Sequence, residues 1–350
     1  MKKLPILALI LIPASFIFLL LLKVTGTNTP LITSQNKKSI FNLTFQNNDF
    51  KPQSLTLEKI FQDDHLWTAT LSAGKKITML ATGDVMPGRT VNIESLKRQN
   101  FTWPYEKTAK SLKEADFTLI NLETPLIKNC PPTAVGMVFC ADERNIEGLI
   151  FAGVDLVNLA NNHTYNFGQK GLQKTIDFLN NAGIQPVGVS GPSYKEIKGV
   201  KFSFLGYNAM EKIDEEKLKN EIQEAGKNSG VVIVSFHWGA EYTNQPNNYQ
   251  KYLAHLAIDS GADLIIGNHP HWVQPIEIYK DKLITYSHGN FIFDQPWSQK
   301  TKEGVIGKYT FYGNDLIDTE FLPIQINNLA QPNLIEDPKQ KQRILEEMKK

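Results

Sequence analysis

The chain has almost no net charge: 37 Lys and Arg stand against 36 Asp and Glu, a formal balance of +1 over 350 residues. Non-specific binding to nucleic acid depends on a global basic field, so composition argues against nucleic acid as a partner. Cysteine is scarce, with two residues. No second Cys pair completes the usual four-ligand zinc set. No Cys follows the N-terminal apolar run either, which excludes a lipid-modified cysteine there. Internal repeats and low-complexity blocks are missing as well. What is present, 41% hydrophobic residues, suffices for a substantial core in one large or two modest domains.

The longest apolar run, Leu4–Leu22, contains Pro13 and small residues, follows Lys2-Lys3 and closes on Lys23. A helix needs roughly 20 apolar residues to span a bilayer. The absence of a good small-x-small site after Leu22 favours an uncleaved single-pass anchor over residues 1–24, with a cleaved signal peptide as the alternative. Lysines on the short side place that end in the cytoplasm and the body outside. Cys130 and Cys140 flank a turn-rich loop, Pro-Pro-Thr-Ala-Val-Gly-Met-Val-Phe, short enough for one disulfide in an oxidising compartment; two free buried thiols are the alternative.

Residues 25–75 are polar, with short alternating pieces at Phe41–Phe45 and Leu66–Leu71, and read as a stalk with a few strands. From Lys76 the pattern changes to apolar strands alternating with helical segments. Strands are expected at Lys76–Val85, Phe117–Leu122, Asp155–Ala160, Val200–Asn208, Val231–Phe236 and Asp263–Gly267. Helices are expected near Tyr105–Glu114, Asn145–Ala152, Gly168–Ala182, Asp214–Ala225 and Asn248–Ser260. This is an α/β layered body over 76–326 with both sheet faces covered. A hairpin is expected around Lys280-Asp281-Lys282, and 327–350 reads as a polar tail ending in an exposed helix.

In open α/β sheets the site lies beyond the carboxyl ends of the strands. The first strand ends in Gly83-Asp84-Val85-Met86-Pro87-Gly88-Arg89, the second in Asn121-Leu122-Glu123, the third in Asn161-Asn162-His163. Later ends carry His237-Trp238-Gly239-Ala240-Glu241 and Gly267-Asn268-His269-Pro270-His271. Each has a plain structural explanation: Asp84 as a helix cap, Arg89 as a surface ion pair, Asn162 as a turn residue, His237 and Trp238 as core, the final histidines as local hydrogen-bonding groups. Their succession at consecutive strand ends argues instead for a metal site.

These motifs, with Ser287-His-Gly-Asn290-Phe, resemble in order and spacing the poly-γ-glutamate capsule synthesis (CapA-like) family of calcineurin-like metallophosphoesterases, from about Ile77 to Asp294. The resemblance implies a four-layer αββα sandwich with a two-metal site. It makes Asp84 a ligand of one ion, Glu123 the bridge, Asn162 and His237 ligands of the second ion, and His269 and His271 the remaining imidazole ligands. His163 takes the place of the catalytic acid, and Arg89, Trp238, Glu241 and Asn290 are assigned to substrate. Mixed carboxylate, amide and imidazole donors suit Mn, Fe or Zn. Metallophosphoesterases usually carry Asp-x-His where this chain has Asp84-Val85-Met86, so the ion count is left at one or two. His288, where related proteins commonly have Leu, is assigned a structural role.

The expected function is an extracytoplasmic, membrane-anchored hydrolase acting on an anionic capsular polymer such as poly-γ-glutamate, alongside other membrane proteins of a capsule synthesis complex. The alternative is a polymer-binding component without turnover; Met86 disfavours a phosphodiesterase of small nucleotides.

Overall fold

The structure, a computed structural model, describes residues 54–62 and 64–350. The expected anchor and the piece at Phe41–Phe45 lie outside the described residues; among those residues no helix is long and apolar enough to cross a membrane. In chain order the elements begin with α1 (Leu57–Ile60), β1 (Lys76–Val85), α2 (Arg89–Arg98), α3 (Ala109–Leu112), β2 (Phe117–Leu122), β3 (Leu126–Ile127), β4 (Ala141–Asp142) and α4 (Asn145–Ala152). Next come β5 (Leu156–Asn158), α5 (Gly168–Asn181), β6 (Gln185–Val187), β7 (Ser193–Ile197), β8 (Val200–Ala209), α6 (Glu215–Asn228), β9 (Val231–Trp238), α7 (Asn248–Asp259) and β10 (Leu264–Asn268). The chain ends with β11 (Ile276–Tyr279), β12 (Lys282–Thr285), β13 (Asn290–Ile292), β14 (Glu303–Tyr312), β15 (Asp315–Asn327), β16 (Gln331–Leu334) and α8 (Pro338–Met348).

The fold is mixed α/β, built on two large sheets. One runs β16-β15-β14-β1-β2-β5-β6, with β13 also paired to β1; the other runs β11-β12-β10-β9-β8-β7. Successive side chains of a strand face opposite sides, and here both sides are apolar. Ile77, Met79 and Ala81 of β1 and Phe117 and Leu119 of β2 meet Phe202, Phe204, Ile233, Leu264 and Ile266 between the sheets. Leu80, Ile120 and Leu122 face outward onto Leu149 of α4 and Leu172 and Leu179 of α5. On the second sheet, Val232, Val234 and Ile265 face Leu218 and Ile222 of α6 and Leu253 and Ala257 of α7. The packing order is therefore helix, sheet, sheet, helix.

Three sequence expectations are corrected. The piece at Leu66–Leu71 is not a strand: Leu66–Thr70 form a 3-10 turn. The Asp64 carboxylate accepts from the Leu66 N–H at 2.6 Å, and such local bonds satisfy the backbone without a partner strand. The stalk does not extend to residue 75, because Leu55 and Ile60 are buried in the inter-sheet core. Nor is 327–350 a free tail: β16 pairs with β15, and Ile344 and Met348, four residues apart on α8, enter the same core. Only a few spaced apolar side chains make these contacts, and a polar average conceals them. The antiparallel β14–β15 pair, joined across Gly313-Asn314, lies beyond the last strands expected, although Gly-Asn between alternating apolar pieces is a hairpin signal.

Candidate metal centre

Strand register builds the cleft. In the first sheet Asp84 of β1 is paired with Asn290 of β13 and Asn121 of β2, and Asn121 with Asn158 of β5. In the second, His237 of β9 is paired with Asn208 of β8 and Asn268 of β10. Rows of polar side chains thus end apolar strands at one pole of the sandwich. Gly83 permits the closest approach: a Cβ there would lie 2.0 Å from the Gly289 carbonyl oxygen. The same contact region carries the bond from the Asp84 N–H to that carbonyl, at 2.9 Å.

Asp84, Glu123 and His237 are fully buried, and His269 and His271 nearly so. The Asp84 carboxylate accepts from Asn121 Nδ2 at 2.8 Å and lies 3.0 Å from His271 Nδ1. His271 Nδ1 is also 2.9 Å from Asn290 Oδ1. His237 Nε2 faces His269 Nδ1 at 3.1 Å. Glu123 is the exception to this pairing. Both its carboxylate oxygens are buried without a hydrogen-bond partner. Around Oε1 stand His163 Nε2 at 3.7 Å, His237 Nε2 at 3.8 Å and His271 Nε2 at 3.9 Å, all beyond hydrogen-bonding distance.

Electrostatics follow from burial. Desolvation, then the Asp84 and Glu241 carboxylates, push Glu123 well above the ordinary carboxyl range. Desolvation, then His269 and His271, hold His237 well below the usual imidazole value, and His269 falls to about 3. His163 is also lowered, chiefly by burial. Its Nδ1 lies 2.9 Å from Asn166 Oδ1, a bond that requires Nδ1 to carry the proton. Nε2 is then left as an acceptor, 3.2 Å from Asn162 Nδ2. The Phe139 ring stacks on the imidazole at 4.0 Å between centroids, and the Phe139 N–H donates to Asn166 Oδ1 at 2.6 Å. Cys130 and Cys140, which close this loop, are joined in a disulfide.

Among the described residues, trios of groups able to share one ion are Asp84-Glu123-His271, Glu123-His237-His269 and Glu241-His269-His271. The first two share Glu123, the position expected of a bridge. A buried carboxylate without a donor, set among imidazoles and a second carboxylate, fits a divalent cation.

Other expected site residues are placed differently. Trp238 is fully buried, stacked on Phe236 at 4.4 Å, with its indole N–H donating to the Tyr286 carbonyl, and so packs in the core. Asn290 is also fully buried, and its amide donates to Gln295 Oε1 and the Thr301 carbonyl. Its Oδ1 faces His271 Nδ1, which orients that ring. Arg89 donates from Nε to Asp294 at 3.0 Å and pairs with it through a terminal nitrogen, so its charge is already matched. Asn162 is exposed at the rim beside His163, and Glu241 is half-buried beside His269 and His271. Met86 is fully buried against Phe139 and Phe293, its sulfur accepting the Gly88 N–H at 3.1 Å. His288 bonds the Tyr309 hydroxyl at 2.8 Å, in the structural role expected of it.

Asn158, Asn166 and Asp294 escaped the sequence reading. Asn158 donates to Asn121 Oδ1 at 3.1 Å and so helps orient the amide that holds Asp84. A polar residue inside the apolar run Leu156–Ala160 was the available signal.

A family profile described as bacterial capsule synthesis protein PGA_cap matches residues 78–295, which contain every residue of the cleft. The chain belongs to this family. Capsule synthesis proteins of the CapA kind fall within the metallophosphoesterase superfamily, in agreement with the paired trios around Glu123. The capsule biosynthesis protein CapA of Bacillus anthracis is 30% identical over 306 residues, 79% of this chain and 74% of its own. The PGA biosynthesis protein CapA of Bacillus subtilis is 29% identical over 293 residues, covering 77% and 76%. Among solved structures, a hypothetical protein from Thermus thermophilus aligns over 71% of this chain and 99% of its own, at 15% identity and a TM-score of 0.49.

Proposed function

We propose that this capsule synthesis family member is a membrane-tethered, extracytoplasmic, metal-dependent hydrolase that acts in the synthesis, release or attachment of an anionic polymer such as poly-γ-glutamate. The observation that carries the proposal is Glu123, a buried carboxylate with no hydrogen-bond partner and three imidazole nitrogens around it. The polymer class comes from the names of the relatives in the two Bacillus species. The apolar run Leu4–Leu22 supports the tether, and the Cys130–Cys140 disulfide suits an oxidising exterior.

Asp84, Glu123 and His271 would hold one ion and Glu123, His237 and His269 the second, with Asn162 at the rim as the carboxamide donor the family resemblance adds to it. The donors suit Mn, Fe or Zn. Such ions supply Lewis acidity and lower the pKa of water. The protein supplies the positioning: Asn121 fixes the Asp84 carboxylate and Asn290 fixes the His271 ring. Hydrolysis of an amide or phosphoester puts a proton on the leaving nitrogen or oxygen, a proton we assign to His163 Nε2. Because burial lowers its pKa, His163 enters neutral and acts as an acid only after taking up a proton. Asp84, Glu123 and Glu241 face the same cleft, so an anionic polymer is repelled until cations offset them.

The test is metal content together with hydrolysis of γ-glutamyl polymer and of a chromogenic phosphodiester, for the unsubstituted protein and for Asp84→Ala, His237→Ala and His269→Ala. Loss of metal and activity is expected; unchanged values in all three would sink the proposal. The packing of Met86 away from any ligand role favours a second reading, polymer binding without turnover. Under that reading His163→Ala leaves function in the cell intact.

A further inference from the structure

Glu241 stands four residues beyond His237, on the loop that leaves β9 through Gly239, whose φ is 86°. The Tyr242 N–H donates to the Pro270 carbonyl at 2.9 Å, which ties this loop to the segment carrying His269 and His271. At this junction Tyr242, His269 and His271 have φ of 59°, 99° and 58°, in the left-handed region that non-glycine residues rarely occupy. Such backbone is disfavoured and persists only where the surroundings over-determine it. What the strained junction achieves is placement: a Glu241 oxygen and one nitrogen each of His269 and His271 lie within 4.8 Å of one another.

Those two histidines belong to different trios, His271 with Asp84 and Glu123, His269 with His237 and Glu123. Glu123 reaches both from the buried floor of the cleft, where its two oxygens lack any hydrogen-bond partner. Glu241 reaches both from the half-buried side. The first trio is short of one donor compared with the Asp-x-His pattern, because Met86 has turned its sulfur to Gly88 and packs on Phe139 and Phe293.

Building on the reading that the cleft holds divalent ions, we infer that Glu241 is a ligand of the first ion, replacing the imidazole that position 86 lacks. The first position then has three carboxylates and one imidazole. The second has one carboxylate, one carboxamide and two imidazoles. Oxygen donors suit hard cations and imidazoles suit Zn and Fe, so the two positions differ in preference, the first leaning toward Mn2+.

The experiment uses purified full-length protein, stripped with chelator and re-equilibrated with Mn2+ alone. Equilibrium dialysis counts ions per chain, and electron paramagnetic resonance distinguishes a coupled pair of Mn2+ ions from an isolated one. The unsubstituted protein is expected to hold two coupled ions. Glu241→Gln is expected to hold one, with the uncoupled signal and at least about tenfold weaker binding at the vacated position. Glu241→His is expected to restore the second ion with its preference moved toward Zn2+. Equal thermal midpoints of the metal-free proteins verify that folding is unaffected. An equal ion count at equal affinity in the unsubstituted and Glu241→Gln proteins overturns the assignment of Glu241. No bound ion in the unsubstituted protein overturns instead the metal-centre reading beneath it.

Discussion

The cleft at the strand ends and the β14–β15 wing of the same sheet both bury ionisable side chains, and they do so in opposite ways. In the wing the charged groups are paired: His65 lies 2.9 Å from Asp318 and the half-exposed Lys308 2.9 Å from Glu320, while His288 bonds the Tyr309 hydroxyl at 2.8 Å through Nε2 and leaves only its Nδ1 without a partner. In the cleft Glu123 has no partner, and His237 and His269 turn ring nitrogens toward each other. Matched groups serve the fold as it stands. Unmatched ones raise its free energy until a ligand arrives, which is why the cleft, and not the wing, is read as functional.

The largest expected effect that tests this contrast is on metal affinity. Asp84→Ala or His269→Ala should weaken Mn2+ or Zn2+ binding by more than about 100-fold, beyond what outer-shell changes do; dialysis with elemental analysis reads it. Retained binding would make the cleft no different from the wing.

Next come two substitutions of opposite sign. Asp318→Ala strands the half-buried His65 and should lower stability by about 1–2 kcal/mol. Glu123→Met removes a buried carboxyl that has no partner and should raise the stability of the metal-free protein by about 1–3 kcal/mol while abolishing any stabilisation by metal. Denaturant titration with and without metal measures both, and destabilisation by Glu123→Met would contradict the account of Glu123.

Asn290→Ala acts through His271 and should cost about tenfold in metal affinity. An effect as large as that of His269→Ala would make Asn290 itself a ligand.

The smallest and most diagnostic effects are those of pH. Burial lowers His65, but Asp318 more than offsets it, so its pKa is raised above 6.5. The stability it contributes is full below 6.5 and is lost as pH rises through the raised value. His269 runs the other way: desolvation and His271 depress it to about 3, so its contribution is lost as pH falls from 6.5 toward 3. Glu123, raised above 4.5, costs stability as pH climbs past 4.5 in the metal-free protein. No pH relieves both cleft groups at once, whereas a cation does so near neutrality. The rise in thermal midpoint caused by metal should therefore grow from pH 5 to pH 7, as Glu123 gives up its proton more readily. A flat profile would mean that Glu123 carries no proton to displace.

How much of this was legible beforehand depended on distance along the chain. The bounds of β1, β2 and α4 match those expected, because alternation and apolar content are local properties. The acids and imidazoles of the cleft could be named because each ends an apolar strand. The pairing of Arg89 with Asp294 was not legible, because the two lie 205 positions apart. Trp238 directly follows His237 in sequence, yet in a strand neighbouring side chains point to opposite faces, which sends one into the cleft and the other into the core.

The sequence by itself determined the layered α/β body, the family and the inventory of donors at the strand ends, since these rest on local pattern and on the order of short motifs. Tertiary structure alone decided which donors converge, because register across strands far apart in the chain sets Asp84 beside Asn121 and Asn290, and His237 beside Asn268. It also decided that Glu123 is left without a partner while Asn290 and Arg89 are not. Desolvation depends on what packs around a group, and that is a property of the fold.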